Sequence, residues 1–412
     1  MSQPSNRASR PRLARPLALE VVREIIEAPI VVGPPLSAYR PTIARRVCTD
    51  TRTLREGDLF VAIRGEHVDG HAGVATAFEP GAVAAVVSDP QAACATAASP
   101  AGPLLVVRDT LDALGKLASW HRRQHVECQV IGITGTNGKT TTKEMVAHLL
   151  GGAPAVHRTH ANDNNRIGVP QTLLGIRAEH RFCVVELGSD RVGEIPALAG
   201  IVRPDVGVLT NSAASHLDGL GDEDGVLREE ASMLADLQAD GLAILNADCP
   251  SGEAGARQTP ASARIVTFGL ERECDLRAVG LSLNAEGVFF TLVRRIDRDG
   301  QRLARPVRHD LFVPVPGSHN VRNALAALAV AWHAGVSWSD LQVRLRSFQP
   351  PALRSTIVGL AGNRLTLIDD CYNANPSSMQ AALATLASLP ARGRVAVIGD
   401  MAELGSMTLA FH

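Results

Sequence analysis

The segment "QVIGITGTNGKTTTKEMVAHLLGG" (129–152) constrains the fold of this chain more than any other segment. Its opening residues are mainly apolar and β-branched, which predicts a buried strand. Met145, Val146, Leu149 and Leu150 then form one apolar stripe at helical spacing, and two glycines follow as a stop signal. The segment therefore predicts a strand, a glycine-rich turn and a helix, the repeating unit of a parallel α/β sheet.

The turn between the predicted strand and helix has the composition of an anion site. Free backbone N–H groups and the helix dipole both point at a phosphate bound there. A strict phosphate loop reads G-x-x-x-x-G-K-[ST], whereas here Ile133 occupies the place of the first glycine and Gly135 comes two places later. We predict that this variant loop binds a nucleotide, with the Lys139 charge on the phosphates and the Thr140 hydroxyl on a magnesium ion. The nucleotide-binding residues predicted in the loop are Gly135, Thr136, Asn137, Gly138, Lys139, Thr140 and Thr141.

Length and composition limit the classes of protein that this chain can be. A chain of 412 residues with 45% hydrophobic residues has room for two to four domains with real cores. A net charge of −1 gives no reason to expect nucleic acid or an anionic membrane as a partner. Seven scattered cysteines without a C-x-x-C pair indicate a reducing compartment, with neither a disulfide framework nor a zinc site. No apolar run is long enough to form a transmembrane helix, so we do not expect membrane insertion. We further expect a cytoplasmic protein that acts as a monomer.

The chain divides into a basic arm and three α/β units. The arm, residues 1–16, carries four arginines and no acid, and no apolar segment follows that would make it a secretory signal. We expect this arm to be disordered. The predicted units are residues 17–108, 109–349 and 350–412.

Strands and helices alternate along these units, as a parallel sheet requires. The predicted helices are Leu17–Ile26 and 110–124, and Gln91–Pro103 is predicted to be a loop. The predicted strands are Asp58–Ile63, Ala82–Ser88, Pro103–Asp109, 129–134, Arg181–Leu187, Asp205–Asn211 and Gly241–Asn246, followed by a hairpin that turns near Asn284–Gly287. In the third unit "RLTLIDD" (364–370) and "RVAVIGD" (394–400) are predicted as two strands separated by a helix.

Motifs along most of residues 40–412 resemble the Mur ligases, the ATP-dependent amide-forming enzymes of peptidoglycan precursor synthesis. The family's phosphate loop has the same missing first glycine as "GTNGKTT" (135–141), so the departure from the strict pattern is the family's own. The most specific string is "YNANP" (372–376), which resembles the members that add D-alanyl-D-alanine. The other matching segments are "TDTRTLREGDLFVAIRGEHVDGH" (49–71), "NDNNRIGVPQTLL" (162–174), "VVELGSDRVGEI" (184–195), "HLDGLG" (216–221), "GSHNVRNALAALAVA" (317–331) and "VIGDMAELG" (397–405).

The resemblance implies a three-domain fold, with a central parallel-sheet domain that carries the phosphate loop and a Rossmann-like C-terminal domain. It implies ATP and Mg²⁺ as cofactors, and UDP-N-acetylmuramoyl-tripeptide and D-alanyl-D-alanine as substrates that are joined through an acyl phosphate. Matched residue by residue, it implies that Thr49, Asp50, Thr51 and Arg52 meet the uridine nucleotide, that Glu186 serves one magnesium and His216 a second, and that Asn320, Asn323, Arg354 and Asp370 meet ATP. The position of Glu186 and His216 at or after strand ends agrees with the place where open parallel sheets bind ligands.

Glu230 is a further predicted ligand of the second magnesium. Many relatives carry a lysine at a fixed spacing after the histidine of this segment, and carbon dioxide converts that lysine to a carbamate. The same spacing counted from His216 reaches Glu230 without a gap. A glutamate supplies the same charge and two oxygens, which a hard cation accepts.

Two other interpretations stay open from the sequence. The chain could be another amide ligase of the superfamily, such as a different Mur ligase or a folylpolyglutamate synthase, or it could be a catalytically silent chain that only binds nucleotide. The second interpretation is favoured by the C-terminal unit, which we expect to be incomplete because the family's later strands do not follow "VIGDMAELG". We therefore expect Ala381–Leu389 and the two strands of this unit to be only partly covered, and ATP binding and ligation by the 412-residue chain to be weak. The residues do not specify the third amino acid of the tripeptide.

Overall fold

The computed structural model describes residues 12–33, 43–65, 68–94, 101–360 and 365–412. Contacts divide the chain into two compact units, the first made of 1–128 with 166–183 and the second of 129–165 with 184–412. The helix at 110–124 lies in the first unit, although the sequence assigns it to the central domain. The domain boundaries at 108/109 and 349/350 stay predictions.

The described strands and helices alternate along most of the chain. The strands are β1 (Arg12–Ala18), β2 (Ile30–Val32), β3 (Ile43–Cys48), β4 (Asp58–Val61), β5 (Ala84–Val87), β6 (Leu104–Val106), β7 (Gln129–Thr134), β8 (Val156–Arg158), β9 (Phe182–Glu186), β10 (Val206–Leu209), β11 (Leu242–Asn246), β12 (Arg264–Gly269), β13 (Leu276–Asn284), β14 (Gly287–Ile296), β15 (Arg302–Val313), β16 (Thr356–Leu360) and β17 (Leu365–Asp369). The helices are α1 (Leu19–Ile25), α2 (Val74–Phe78), α3 (Pro90–Ala93), α4 (Thr110–Gln124), α5 (Lys139–Leu149), α6 (Gly168–Leu174), α7 (Glu194–Val202), α8 (Leu217–Leu220), α9 (Glu223–Ala231), α10 (Pro250–Gln258), α11 (Ser318–His333), α12 (Trp338–Arg346), α13 (Pro376–Ser388) and α14 (Thr408–Phe411). None of the helices within the described ranges is both long and apolar enough to cross a bilayer.

The first unit is built on a six-stranded sheet in the order β1-β3-β4-β5-β6-β2. The inner strands β3 to β6 are parallel, and β1 and β2 pair antiparallel at the two edges. The inner strands β4 and β5 are buried along their whole length, as is typical of a parallel sheet covered on both faces, and Leu59, Phe60 and Leu104 are almost wholly buried. The strands predicted at 58–63, 82–88 and 103–109 and the helix predicted at 110–124 are confirmed.

Three predictions in this unit need correction. Residues 12–16 are not part of a disordered arm but lie in β1, because Leu13 and Leu17 are buried in the core. The rest of the predicted arm, residues 1–11, lies outside the described residues. The first helix begins at Leu19 rather than Leu17. In the predicted loop 91–103, residues 91–93 belong to α3, and residues 95–100 lie outside the described part.

The second unit is built on a nine-stranded sheet in the order β15-β14-β13-β12-β11-β10-β7-β9-β8. Strands β7, β10, β11, β12 and β13 run parallel. The central strand β7 lies between β10 and β9, so the residues that follow these three strands come close to the phosphate loop. The α/β class and all strands predicted between 129 and 246 are confirmed.

The hairpin predicted near Asn284–Gly287 is confirmed, and a third antiparallel strand, β15, extends it. The sequence does not predict β15 because this strand is rich in arginine and contains Pro306. β15 lies at the edge of the sheet, where a proline is tolerated because one side of the strand has no ladder to complete.

The C-terminal segment has one predicted strand and lacks the other. Residues 365–369 form β17, which pairs antiparallel with β16, and the predicted helix is α13. The predicted strand at 394–400 is wrong: these residues have no strand pairing, and Val397 is 97% exposed. The expectation of partial cover is confirmed, since Leu365, Leu367 and Leu383 are each at least 40% exposed.

Candidate active site

The loop between β7 and α5 has the backbone conformation that its glycines permit. Gly135 and Gly138 have φ angles of 130° and 82°, which other residues rarely adopt. A Cβ atom on Gly135 would lie 2.1 Å from Thr210 Oγ1, and one on Gly138 would lie 2.3 Å from Asn323 Oδ1. Helix α5 begins directly after Gly138, and no side chain caps its first turn. The loop therefore presents the free N–H groups of a helix N-terminus, as an anion site does.

Polar contacts link the loop to Glu230. Lys139 Nζ donates to the carbonyl oxygens of Gly135 at 2.5 Å and Thr136 at 3.2 Å. Thr136 Oγ1 donates to Glu230 Oε1 at 3.2 Å and accepts from the N–H of Ala213 at 3.0 Å. The structure thus places Glu230 directly behind the loop.

The Glu230 carboxyl has an unusual electrostatic environment. The residue is 7% exposed, and its buried Oε2 atom makes no hydrogen bond in the described part of the chain. Desolvation raises its pKa to about 8, against the opposing effects of the Lys139 charge and the Thr136 hydroxyl. A buried carboxyl with a free oxygen beside a phosphate loop is a candidate functional group rather than a structural one.

Thr140 and Glu186 are brought together at the first predicted magnesium site. Glu186 ends β9 and is 1% exposed. Thr140 Oγ1 donates to Glu186 Oε1 at 3.2 Å, and Asn164 Nδ2 donates to the same oxygen at 2.9 Å. A hydroxyl and a carboxylate beside a phosphate loop are oxygen donors of the kind that Mg²⁺ takes together with phosphate and water, so the residues present fit this ion.

The second predicted magnesium pair is not brought together in the same way. His216 Nδ1 contacts the Glu403 carboxylate, and no hydrogen bond or ion pair within the described ranges joins His216 to Glu230. Among the described residues, no three His, Cys, Asp or Glu side chains form a group that could hold a metal ion by themselves. The assignment of His216 and Glu230 to one magnesium stays a prediction.

Lys143 lies at the first magnesium site but was not predicted from the sequence. Its side chain is fully buried one helical turn after Lys139, and its Nζ lies 3.2 Å from Glu186 Oε2. The same ammonium donates to the carbonyl oxygen of Ala161 at 2.6 Å. A lysine one turn after the loop lysine looks like an ordinary exposed helix residue, so only the fold reveals its burial. Asn164, by contrast, lies in a segment that the sequence does single out.

Asn320 and Asn323 lie in the first turns of α11 and are 3% and 7% exposed. Asn320 Nδ2 donates to the carbonyl oxygen of Pro316 at 2.8 Å, and Asn323 Nδ2 donates to Asn320 Oδ1 at 3.2 Å. Neither asparagine caps the helix, since the N-cap position belongs to Gly317. Asn323 packs against Gly138, so this helix start borders the phosphate loop.

Arg354 and Asp370 lie around β16 and β17. The guanidinium carbon of Arg354 lies 4.0 Å above the Tyr372 ring, a cation–π contact. Asp370 Oδ1 accepts from the N–H of Ser355 at 3.0 Å. These contacts hold both side chains in place, and each side chain has further polar atoms that a ligand can contact.

A cleft of about 740 Å³ in the second unit joins most of these residues. Glu230 is not part of its lining, because Thr136 stands between the carboxyl and the cleft. Predicted residues that line it are 136–141, Glu186, His216, Asn320, Asn323, Arg354 and Asp370.

The predicted uridine-binding residues lie in the first unit, in a short turn between β3 and β4. Asp50 Oδ1 accepts from the N–H of Arg52 at 3.0 Å, and the Arg52 guanidinium pairs with the Asp50 carboxylate at 2.9 and 3.0 Å. Thr49 Oγ1 accepts from Gln171 Nε2 at 2.8 Å, and Thr51 packs against Gly73. The Arg52 side chain is 87% exposed and is therefore accessible to a ligand.

Three family models match successive parts of the chain. The model of the Mur ligase family catalytic domain matches residues 44–122, and that of the Mur ligase middle domain matches residues 133–331. The model of the Mur ligase glutamate ligase domain matches residues 353–412.

Individual relatives agree with these matches. The UDP-N-acetylmuramoyl-tripeptide–D-alanyl-D-alanine ligase of Escherichia coli is 38% identical over 367 residues, which are 89% of this chain and 76% of the relative. The crystal structure of MurF from Acinetobacter baumannii superimposes with a TM-score of 0.83 at 32% identity, over 97% of this chain and 82% of that one. MurF from Thermotoga maritima in complex with ADP gives a TM-score of 0.77 at 25% identity, over 90% of this chain and 81% of that one.

The parallel sheet, the glycine loop at the start of α5 and the oxygen donors beside it define a nucleotide-binding α/β enzyme. The three family models and the similar proteins identify the family to which this enzyme belongs. The chain belongs to the Mur ligase family, and it is an ATP-dependent amide-forming ligase.

Proposed function

We propose that this chain joins D-alanyl-D-alanine to UDP-N-acetylmuramoyl-tripeptide in an ATP-dependent step of peptidoglycan precursor synthesis. The relative from Escherichia coli that shares 38% identity bears the name of this activity. The observation that carries the proposal is the shared cleft, in which the start of α5, the Glu186 carboxylate and the Y-N-A-N-P string lie together. A two-substrate reaction at a phosphoryl group requires a phosphate site close to a carboxylate and to a segment that can meet the second substrate, here the Y-N-A-N-P string in the C-terminal part of the chain.

The reaction has two steps. The terminal carboxylate of the tripeptide attacks the γ-phosphorus of ATP, and ADP leaves with the bridging oxygen. The amine of D-alanyl-D-alanine then attacks the acyl carbon of the acyl phosphate, loses a proton, and inorganic phosphate leaves with the electron pair of the broken C–O bond. These steps need charge screening and alignment more than covalent help from the protein.

Different residues of this chain would bind the phosphates, the metal ion and the nucleoside. The N–H groups at the start of α5 bind the phosphates, and Lys139 has to leave its two loop carbonyls to place its charge on them. Thr140 and Glu186 would hold a Mg²⁺ ion, which screens phosphate charge when it is bound. Asn320, Asn323, Arg354 and Asp370 would place the nucleoside, each from a wall of the cleft.

We place this reaction in the cytoplasm, where ATP and UDP-linked precursors are made, and we propose that the chain acts as a monomer. The Thr49–Arg52 turn would bind the uridine part of the precursor, with the exposed Arg52 guanidinium facing its phosphates.

The test is phosphate release from ATP by the full chain with Mg²⁺ and the UDP-tripeptide, with and without D-alanyl-D-alanine. We expect release to require the UDP-tripeptide and to rise when the dipeptide is added. Controls replace the substrates with those of other family members, such as the UDP-dipeptide with diaminopimelate or a folate with glutamate. Equal release with any of these pairs, or nucleotide binding without phosphate release in all of them, would overturn the proposal.

A further inference from the structure

The main chain of Asn137, in the phosphate loop, is held by the two residues that follow β10. Its N–H donates to Asn211 Oδ1 at 3.0 Å. Its carbonyl oxygen accepts from Thr210 Oγ1 at 2.7 Å and from Asn211 Nδ2 at 2.9 Å. Three hydrogen bonds at one residue fix the direction in which its side chain leaves the loop.

That side chain forms a reciprocal amide pair with Asn375, which lies 238 residues later. Asn375 Nδ2 donates to Asn137 Oδ1 at 2.8 Å, and Asn137 Nδ2 donates to Asn375 Oδ1 at 3.3 Å. Asn137 Nδ2 also donates to Ser377 Oγ at 2.6 Å. Both asparagines are half-buried, so water competes only in part for these donors and acceptors.

Asn375 is at the same time the N-cap of α13. Its Oδ1 accepts from the N–H of Ser378 at 2.9 Å, and its own N–H donates to Ser378 Oγ at 2.9 Å, which completes a capping box. One side chain therefore both starts α13 and binds the phosphate loop. A shift of the loop at Asn137 and a shift of the first turn of α13 cannot occur independently while this contact is intact.

We propose that Asn375 is a positioning residue for the ligation: the Asn137–Asn375 amide pair aligns the first turn of α13 with the phosphate loop, so that nucleotide bound to the loop orders α13. The proposal rests on the proposed function, because it assigns the C-terminal segment a place in the same reaction. Nucleotide restrains the loop, and the amide pair transmits this restraint to α13. Ser378, Met379 and Ala381 of this helix line the same cleft, so its position affects how the second substrate is aligned there.

The chain offers a substitution that separates the two roles of Asn375. Asn375→Asp keeps an oxygen that caps α13, because aspartate is as good an N-cap as asparagine. It removes the Nδ2 donor and leaves Asn137 Oδ1 facing an oxygen. Asn137→Ala removes the pair from the other side, and Gln380→Ala removes an exposed amide from the same helix as a control.

Hydrogen exchange of the backbone amides in the first two turns of α13 provides the first readout, measured with and without a non-hydrolysable ATP analogue. In the wild-type chain we expect the analogue to slow this exchange at least threefold. In Asn375→Asp we expect the analogue to have no effect there, while the thermal unfolding midpoint stays within about 2 °C of wild type. Gln380→Ala should behave as the wild type does.

Ligation kinetics provide the second readout. We expect Asn375→Asp to lower kcat about five- to tenfold, the effect of one or two hydrogen bonds. The KM for ATP should also rise, because the added carboxylate charge lies beside the phosphate loop, so kcat at saturating ATP is the parameter that reports alignment. Asn375→Asp should have little further effect in an Asn137→Ala background, because the pair is already broken there.

Separate outcomes identify which idea fails. A wild-type chain that binds no analogue in calorimetry overturns both the proposed function and the positioning role. A wild-type chain that binds the analogue and releases phosphate, but shows no change of exchange in α13, overturns the positioning role alone. Retained protection and kcat in Asn375→Asp, or full additivity with Asn137→Ala, also overturns it.

Discussion

Replacing Glu230 with glutamine removes one ionisable group behind the phosphate loop and keeps the shape of the side chain. We expect the variant to be more stable than the wild type above neutral pH and much less active. The two effects have opposite signs because burial makes the charge costly to the fold, whereas a cation ligand has to carry that charge. A purely structural glutamate would not give this combination.

The size of the stability effect follows from the raised pKa. The Glu230 pKa is about 8 in the folded chain, against an ordinary value of 4.5. Below the lower value the carboxyl is neutral in both states and burial of charge has no effect. As pH rises from 4.5 to 8 the unfolded chain loses the proton and the folded chain keeps it, so stability falls steadily and levels off above 8. At about 1.4 kcal/mol per pKa unit, the loss is on the order of 5 kcal/mol at most.

The assay is urea denaturation of wild type and Glu230→Gln at pH 5, 7 and 8.5 in the presence of a chelator. We expect the variant's advantage in unfolding free energy to grow across this range. Glu229→Gln is the matched control: this neighbouring buried carboxylate accepts the N–H groups of Gly193 at 2.9 Å and Ile195 at 2.7 Å, so its loss should destabilise the fold by about 1–3 kcal/mol. A constant difference between Glu230→Gln and wild type would refute the burial argument.

The kinetic half of the prediction uses the ligation assay with Mg²⁺. We expect kcat of Glu230→Gln to fall sharply, and wild-type activity not to depend on bicarbonate, because a glutamate needs no carbon dioxide to become an anion. A kcat within about twofold of wild type, which is under ~0.5 kcal/mol of transition-state stabilisation, would show that the metal-ligand assignment is wrong.

Three further predictions concern other parts of the chain. Arg52→Ala should raise the KM for the UDP substrate several-fold and leave that for ATP unchanged, and equal changes in both would indicate misfolding instead. Gly138→Ala should weaken nucleotide binding in calorimetry at least tenfold, because of the φ of 82° and the approach to Asn323, whereas Gly200→Ala, which has open space around it, should bind as the wild type does. Burial lowers the pKa of His121 to about 4, so the wild type should lose about 3 kcal/mol of stability as pH falls from 6.5 to 4, and His121→Gln should lose less by urea denaturation.

The phosphate site could be predicted from the sequence because its determinants are local. The glycines, Lys139 and Thr140 are consecutive or nearly so, and a strand followed by a helix fixes their geometry. Glu186 is predicted from the resemblance to the Mur ligases and from its place at a strand end, where open parallel sheets bind ligands. The structure adds that its strand, β9, lies next to β7.

The errors arise where a strand depends on its partners. The string at 394–400 has the β-branched residues of a buried strand, but strand propensity reflects packing against neighbours, and no described strand pairs with it. β1 and β15 are the opposite case, since both contain arginine and proline and still pair with a neighbouring strand at a sheet edge. Composition alone could not separate these cases.

The contacts that set the charge and alignment of the site could not be predicted, because they join residues far apart in sequence. Lys143 looks like an exposed helix residue until the fold places Glu186 against it. The ammonium lies 3.2 Å from Glu186 Oε2, so the charge balance at the proposed magnesium site includes a residue outside the loop pattern. The Asn137–Asn375 pair spans 238 residues in the same way. Motifs therefore predict where phosphate would bind, whereas the pairing of distant side chains determines which charged groups and which helix lie against that loop.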